Sequence, residues 1–178
     1  MTVSECIEKR RSVRSFCAER PPLCQVERLI ELAALAPSGG NTQSWIFILL
    51  DDPALIRMVS AVSPGVNGAP AYLIALCSDQ ALAYQRGGAL GRDVLAVMDV
   101  SMAAENFLLA AVEQGLGACV IRSFQETLIC SILKLPEHIR PELLISLGYA
   151  ERVPDRPPKR AWKSLTHYNA WGGQRHVP

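Results

Sequence analysis

Residues 36–50 read APSGGNTQSWIFILL, a turn-forming stretch that runs directly into a continuous apolar segment. The run from Trp45 to Leu50 is short and rich in Ile, Leu and aromatic residues, which predicts a buried β-strand. Upstream, apolar residues recur at helical intervals from Leu23 until Pro37 and the following glycines end the pattern. Downstream, the Asp52-Pro53 pair starts a helix that extends to about Val62. The chain therefore alternates helices with strands.

The same alternation continues to about residue 149. Strands are predicted over 71–77, 118–121 and 142–149, and the longest helical pattern covers 93–114. Ser123 and Glu126 have the spacing of a capping box, which predicts a helix that runs to about Leu133. These patterns indicate an α+β protein whose sheet is interleaved with helices.

Length and composition limit the class of protein. A chain of 178 residues predicts one domain over 1–178, with a C-terminal extension from about 151 to 178 that has little periodicity. Eighteen Lys and Arg oppose seventeen Asp and Glu, so the net charge of +1 argues against a broad nucleic-acid surface. No apolar run approaches the length of about 20 residues needed to cross a bilayer, and the N-terminal residues are charged where a signal peptide is apolar. We expect a cytoplasmic protein that binds neither nucleic acid nor membrane.

Six cysteines are present, but none lies in a C-x-x-C pair and no histidine pair has ligand spacing. This predicts free thiols that serve as small apolar side chains in a reducing compartment, and no metal site.

A basic cluster follows the first predicted helix, whose start is marked by Thr2 and Glu5. Its members place three guanidinium groups and a hydroxyl within five residues, and they are Arg10, Arg11, Ser12 and Arg14. Such donors suit a phosphate dianion, although an exposed basic face or a nucleic-acid patch explains the same residues. The glycine-rich nucleotide motifs G-x-G-x-x-G and G-x-x-x-x-G-K-[ST] are both absent.

The loop of residues 36–43 exposes backbone amides and two amide side chains. It can approach a flat polar ring, but Pro, Ser, Gly and Asn also form ordinary turns without any ligand.

Four motifs occur in a characteristic order: RRSVRSF at 10–16, APSGGNTQSW at 36–45, GLGACVI at 115–121 and PPKR at 157–160. In this order and spacing the chain resembles the nitroreductase family of FMN-dependent oxidoreductases, from Ile7 to about Asn169. The resemblance implies a nitroreductase-like three-layer α+β sandwich with a mixed central sheet. It also implies an intertwined homodimer with an exchanged C-terminal extension and with FMN at the subunit interface.

Site residues follow from the same resemblance. The phosphate and ribityl end of FMN is expected to contact Arg10, Arg11, Ser12 and Arg14. The loop that covers the flavin from the opposite subunit corresponds to Pro37, Ser38, Gly39, Asn41 and Gln43. Backbone donors near flavin N5 correspond to Ile121, Arg122 and Ser123, and the basic pair that returns to the phosphate corresponds to Lys159 and Arg160.

The family's chemistry implies ping-pong hydride transfer from NAD(P)H through the flavin to a nitroaromatic, a quinone or a similar small-molecule acceptor. No side chain is expected to act as a nucleophile. Two family positions differ here, because Ser44 replaces the usual proline and Ser123 replaces the usual glycine beside N5. The short segment 79–92 predicts an open or mobile pocket. Two alternatives stay open, a flavin-binding module without turnover and a family variant that acts as a dehydrogenase or enone reductase.

Overall fold

The structure is a computed structural model that describes residues 1–174; residues 175–178, the last four of the predicted extension, lie outside the described residues. Four strands are present: β1 Trp45–Leu50, β2 Tyr72–Asp79, β3 Gly117–Ile121 and β4 Ile139–Gly148. The helices are α1 Val3–Lys9, α2 Leu23–Ala33, α3 Pro53–Ala61, α4 Gln80–Leu90, α5 Ala96–Glu113 and α6 Glu126–Ile132.

The three layers can be seen in the side chains of β2, which alternate between two separate apolar cores. Tyr72, Ile74 and Leu76 pack with α2 and α5, where Phe107 is the largest fully buried side chain. Their neighbours Leu73, Ala75 and Cys77 pack with residues of α3 and α6 on the opposite face. Because successive residues of a strand point to opposite faces, one sheet separates two helical layers. The expected α+β sandwich is confirmed.

The sheet has the order β1-β2-β4-β3, and every pair of neighbouring strands is antiparallel. Among the described residues, the parallel pairing is an isolated bridge between Ser12 and Ala118. The sheet is therefore mixed only through this bridge. The long connections place helices across the faces of an otherwise antiparallel sheet.

The segment after β2, where the sequence predicts an open or mobile pocket at 79–92, is helical. Asp79 caps α4 by accepting a hydrogen bond from the Leu82 amide, and α4 continues through a π-helical turn at Gly91–Leu95 into α5. Gly88 breaks the helical path with φ 59°. The segment therefore forms a kinked helix, and the open pocket stays a prediction.

The stretch from Gln80 to Glu113 is, within residues 1–174, long and apolar enough to cross a membrane by length and composition, with a mean hydropathy of 1.6 over 18 residues. Half of that window is buried inside the protein. A central core helix has the same composition, and α5 packs against the sheet as such a helix.

The helix before β4 starts later than expected. It begins at Glu126, and the residue at its N-terminus is Gln125, which makes no capping bond through its side chain. The predicted capping role of Ser123 is therefore wrong, and the side chain of Ser123 is exposed between β3 and α6. By contrast, Thr2 and Glu5 form a complete capping box at α1.

All six cysteines are free thiols. Burial raises the pKa of the Cys77 thiol to about 12, and Cys130 and Glu142 add to the rise. The structure therefore agrees with the expectation that Cys77 serves as an apolar side chain in the core.

This shift predicts a loss of stability at alkaline pH. Between pH 9 and pH 12 an unfolded Cys77 loses its proton while the folded thiol keeps it, so the unfolded state is favoured as the pH rises. The free energy of unfolding should fall by about 1.4 kcal/mol per pH unit in this window. Urea unfolding at two pH values within it should show that extra loss in the parent chain relative to Cys77→Ala. Equal slopes for the two chains would contradict the assignment.

Candidate functional site

The basic segment after α1 docks on the edge strand β3. The Val13 amide donates to the Ala118 carbonyl at 3.0 Å, and Ser12 forms the parallel bridge to the same residue. Gly117 allows this close approach, because a Cβ atom at this position would lie 2.8 Å from Val13 Cγ1. The segment is thus held in an extended conformation against the sheet.

An extended segment places alternate side chains on opposite sides. This alternation predicts that Arg10, Ser12 and Arg14 share one side, while Arg11 and Val13 share the other. The structure agrees, because Val13 is buried and lines a cleft of about 540 Å³ together with Arg11. We therefore expect three of the four phosphate residues, all except Arg11, to lie on the side opposite the cleft.

The contacts of Arg11 and Arg10 indicate different roles for these two residues. Arg11 donates to the carbonyls of Glu8 and Arg10 at 2.7 and 2.8 Å, at the C-terminal end of α1 where a cation is favoured. The Nε of Arg10 lies 3.5 Å from Oε1 of Glu105 on α5. Arg11 therefore caps a helix, whereas Arg10 is oriented from the central helix.

The expected N5 segment follows the end of β3. Ile121 is buried, whereas Arg122 and Ser123 are exposed. Arg122 lies over the Phe124 ring at 4.8 Å and pairs with Glu126 at 3.4 Å. This pairing orients the Arg122 side chain along the surface and leaves the backbone amides after Ile121 at the strand's end.

A loop that the sequence reasoning missed, residues 63–68, touches both groups. A Cβ atom on Gly65 would clash with the Ser123 hydroxyl, and one on Gly68 would lie 2.6 Å from the Arg14 carbonyl. Gly68 also has φ +69°, which few other residues adopt. The turn-forming sequence SPGVNG was the available signal. This loop therefore lies against both the basic segment and the expected N5 segment.

The glycine loop has an unusual backbone. Positive φ angles occur at Gly40 (59°), Asn41 (54°) and Gln43 (53°). The Gln43 amide donates to Ser38 Oγ at 3.0 Å, and its side chain donates to Asn41 Oδ1 at 3.0 Å. Left-handed backbone at non-glycine residues is unfavourable, and it persists where surrounding contacts hold it.

The glycine loop is anchored to α5 rather than to the basic segment of its own chain. The Gly39 amide donates to Asp99 Oδ1 at 3.0 Å. Among the described residues, no hydrogen bond joins residues 37–43 to residues 10–14. Lys159 and Arg160 are likewise exposed in the extension and do not reach the basic segment. Within one chain the expected site is therefore divided.

Apolar residues on the outside of the α4 to α5 helix form a stripe. Leu90, Val94, Met98 and Met102 recur at every fourth position and are 61%, 46%, 54% and 37% exposed. Residues four apart share a helix face, so one apolar face of the central helix has no partner within residues 1–174.

The C-terminal extension is hydrogen-bonded to the rest of the chain where it begins. Phe16 bridges to Ala150, and the Glu151 amide donates to the Ser15 carbonyl at 3.1 Å. Beyond Glu151, the hydrogen bonds of the described residues stay within the extension, whose Trp162 and Trp171 are 61% and 91% exposed.

A family model described as the nitroreductase family matches residues 7–64 and 58–149 of this chain. The chain belongs to the nitroreductase family. The resemblance of the four motifs is thereby confirmed, and so is the fold that it implies.

Individual nitroreductase relatives agree. The chain is 25% identical to the FMN reductase (NADPH) of Bacillus subtilis, over 94% of this chain and 73% of the relative. It is 26% identical to the iodotyrosine deiodinase of Thermotoga neapolitana, over 92% and 96% respectively. The crystal structure of a nitroreductase family protein from Streptococcus pneumoniae superposes with a TM-score of 0.85 at 21% identity, covering 94% of this chain and 100% of that chain.

Proposed function

We propose that this nitroreductase-family chain is an NAD(P)H-dependent oxidoreductase that holds FMN on the side of β3 facing Arg10, Ser12 and Arg14. One observation carries the placement. The bridge between Ser12 and Ala118 sets the basic side chains three strand residues, or about 10 Å, from the backbone amides that follow Ile121. The proposed surface thus has positive side chains at one end and backbone N–H donors at the other. A ligand in which a phosphate is joined to a polar ring requires this arrangement.

The residues fit the cofactor. Gly117, Gly65 and Gly68 let the segments around the site pack closely, since an added Cβ atom would meet the Val13 side chain, the Ser123 and Ile121 side chains, and the Arg14 backbone respectively. Arg10 and Arg14 supply charge-assisted donors for a phosphate, and Ser12 adds a hydroxyl. When bound, FMN supplies the two-electron chemistry that NAD(P)H oxidation and acceptor reduction need.

The protein's own contribution is binding and orientation. The amides after Ile121 are placed to donate to an acceptor at the ring edge, and Ser123 lines its approach because its hydroxyl lies against Gly65. Arg122 brings positive charge near that edge, although its pair with Glu126 reduces the effect. We expect no protein nucleophile, and His138 and His167 have no part in the proposed site, while His176 lies outside the described residues.

The second half of the proposed site comes from another copy of the chain. We infer a homodimer because the stripe from Leu90 to Met102 and the extension after Glu151 both expose large apolar side chains. A partner that covers the stripe would present its glycine loop, with Pro37, Ser38, Gly39, Asn41 and Gln43, to the flavin ring. Its extension would bring Lys159 and Arg160 to the phosphate. An extension exchanged between subunits explains why the expected site residues do not come together within one chain.

Two further attributes belong to this proposal. The acceptor is a nitroaromatic, a quinone or a similar small molecule, and six free thiols agree with a reducing, cytoplasmic location. A dehalogenating or dehydrogenating reaction is the second candidate, favoured by the similarity to an iodotyrosine deiodinase. A flavin-binding module without turnover is a third possibility, which the exposed Ser123 at the ring edge motivates.

Anaerobic reduction tests the function. The protein reconstituted with FMN should lose its visible flavin absorbance when NADH or NADPH is added, and a quinone or nitroaromatic should restore it. Full bleaching by dithionite serves as the control. Flavin that stays oxidised with both nicotinamides but is bleached by dithionite would overturn the reductase assignment.

A further inference from the structure

A small, partly open cleft lies between the glycine loop and the α4 to α5 helix. It has a volume of about 90 Å³ and is lined by both ends of the loop, by the α4 to α5 junction and by the central helix. The residues relevant here are Gly39, Ser44 and Asp99. Such a cleft is large enough for several water molecules.

Two buried polar side chains line this cleft without completing their hydrogen bonds. Asp99 is 2% exposed, and its Oδ1 accepts from the Gly39 amide while its Oδ2 has no partner among the described residues. Ser44 is 1% exposed, and its Oγ likewise has no partner there. Buried polar atoms are rarely left unpaired, because the unpaired atom loses its hydration without compensation.

The position of these two side chains relates to the shape of the loop. Gly39 stands at its start and Ser44 at its end, and the three residues with positive φ lie between them. The Ser44 carbonyl also accepts from the Asp79 amide at 2.7 Å, which fixes the strand end of the loop to β2. Both ends are thus held, and Asp99 is the contact from the central helix.

We propose that Asp99 is a positioning residue that clamps both ends of the glycine loop, with Oδ1 on the Gly39 amide and Oδ2 linked through water in the cleft to the Ser44 hydroxyl. The link gives Ser44 a purpose at a position where the family resemblance expects proline. A proline restrains the backbone by its ring, whereas the hydroxyl restrains it by a hydrogen bond. The effect on FMN rests on the proposed function; the clamp itself does not.

Amide hydrogen exchange of Gly39, measured by NMR in the protein without FMN, tests the clamp directly. Asp99→Ala should raise the exchange rate by at least about tenfold, and Ser44→Ala by a smaller factor, because each removes part of the restraint. Asp99→Asn keeps an oxygen for the Gly39 amide and should stay within about threefold of the parent rate. Ser146→Ala is the matched control, since Ser146 is an equally buried serine on β4 that donates to the Cys119 carbonyl.

The Ser44→Ala, Asp99→Ala double variant shows whether the two side chains act together as one clamp or restrain the loop independently. If water links the two side chains, the double variant should exchange no faster than Asp99→Ala alone. If the effects of the two single substitutions on the Gly39 exchange rate multiply in the double variant, the proposal is overturned. The same holds if Ser44→Ala changes that rate no more than Ser146→Ala does. If Asp99→Ala fails to fold, Ser44→Ala and Asp99→Asn still decide the question.

FMN affinity gives the functional readout. Ser44→Ala and Asp99→Ala should weaken FMN binding without changing the ratio of FMN to riboflavin affinity, because the loop covers the ring and not the phosphate. A parent chain that binds no FMN would refute the proposed function, whereas the exchange experiment would still test the clamp.

Discussion

Replacing Arg10 and Arg14 together by alanine is expected to weaken FMN binding by at least about 100-fold, while riboflavin binding changes by less than about threefold. Alternation along the segment puts both side chains on the side that carries Ser12, and each can donate charge-assisted hydrogen bonds to a phosphate. Riboflavin lacks that phosphate but retains the ring. Quenching of flavin fluorescence by the protein measures both affinities.

The control for this double variant is Arg28→Ala. Arg28 is an exposed arginine on α2 that pairs with Glu31 at 2.8 Å, so its removal tests the general loss of positive charge. It should leave both affinities unchanged. Arg11→Ala adds a sharper comparison. Because Arg11 caps α1, this substitution should weaken FMN binding less than Arg14→Ala does. Equal losses for FMN and riboflavin in the double variant would show that the phosphate assignment is wrong.

Mixing two inactive chains is expected to restore part of the FMN binding. An Arg14→Ala chain lacks a phosphate donor, and an Asn41→Ala chain lacks the loop side chain that accepts from Gln43. If each site combines the basic segment of one subunit with the loop of the other, a mixed dimer contains one intact site and one doubly damaged site. Random exchange of subunits should therefore recover about a quarter of the sites.

Verification of the mixed dimer is essential to this experiment. The two chains can carry different affinity tags, so that tandem purification isolates dimers with one copy of each, and half of their sites should then bind FMN. Refolded homodimers of each variant serve as controls and should bind only weakly. Verified mixed dimers without recovered binding would contradict the shared site, and a monomer in solution would contradict the dimer itself.

Much of the fold was predictable because the signals are local. The run from Trp45 to Leu50 matches β1 in full, and the apolar positions from Leu23 to Ala33 match α2. The capping box at Thr2 and Glu5 is satisfied as the spacing requires. Hydrophobic periodicity and capping depend on neighbours a few residues apart, so they can be read without the tertiary structure.

The errors arise where local signals compete. Ser123 and Glu126 have the spacing of a capping box, yet the chain between β3 and α6 remains non-helical, and the helix starts only at Glu126. Glycine also lowers the helix preference at Gly87 and Gly88, but α4 forms there and only Gly88 departs from helical backbone. In both places the packing of adjacent elements overrides the local preference.

The sequence by itself determined the family, the α+β class, the basic segment at Arg10 to Arg14 and the candidate flavin residues, because these depend on residue types in a fixed order. Only the tertiary structure decided that Arg11 donates to the carbonyls at the end of α1, that the loop of residues 63–68 contacts both Arg14 and Ser123, and that Asp99 holds the glycine loop. The contacts of the 63–68 loop and of Asp99 join positions about 54 to 60 residues apart in the chain, and the exposed stripe from Leu90 to Met102 becomes visible only after the rest of the α4 to α5 helix is packed. Local spacing carries no information about such distant pairings, since they depend on how the packed layers bring separate segments together.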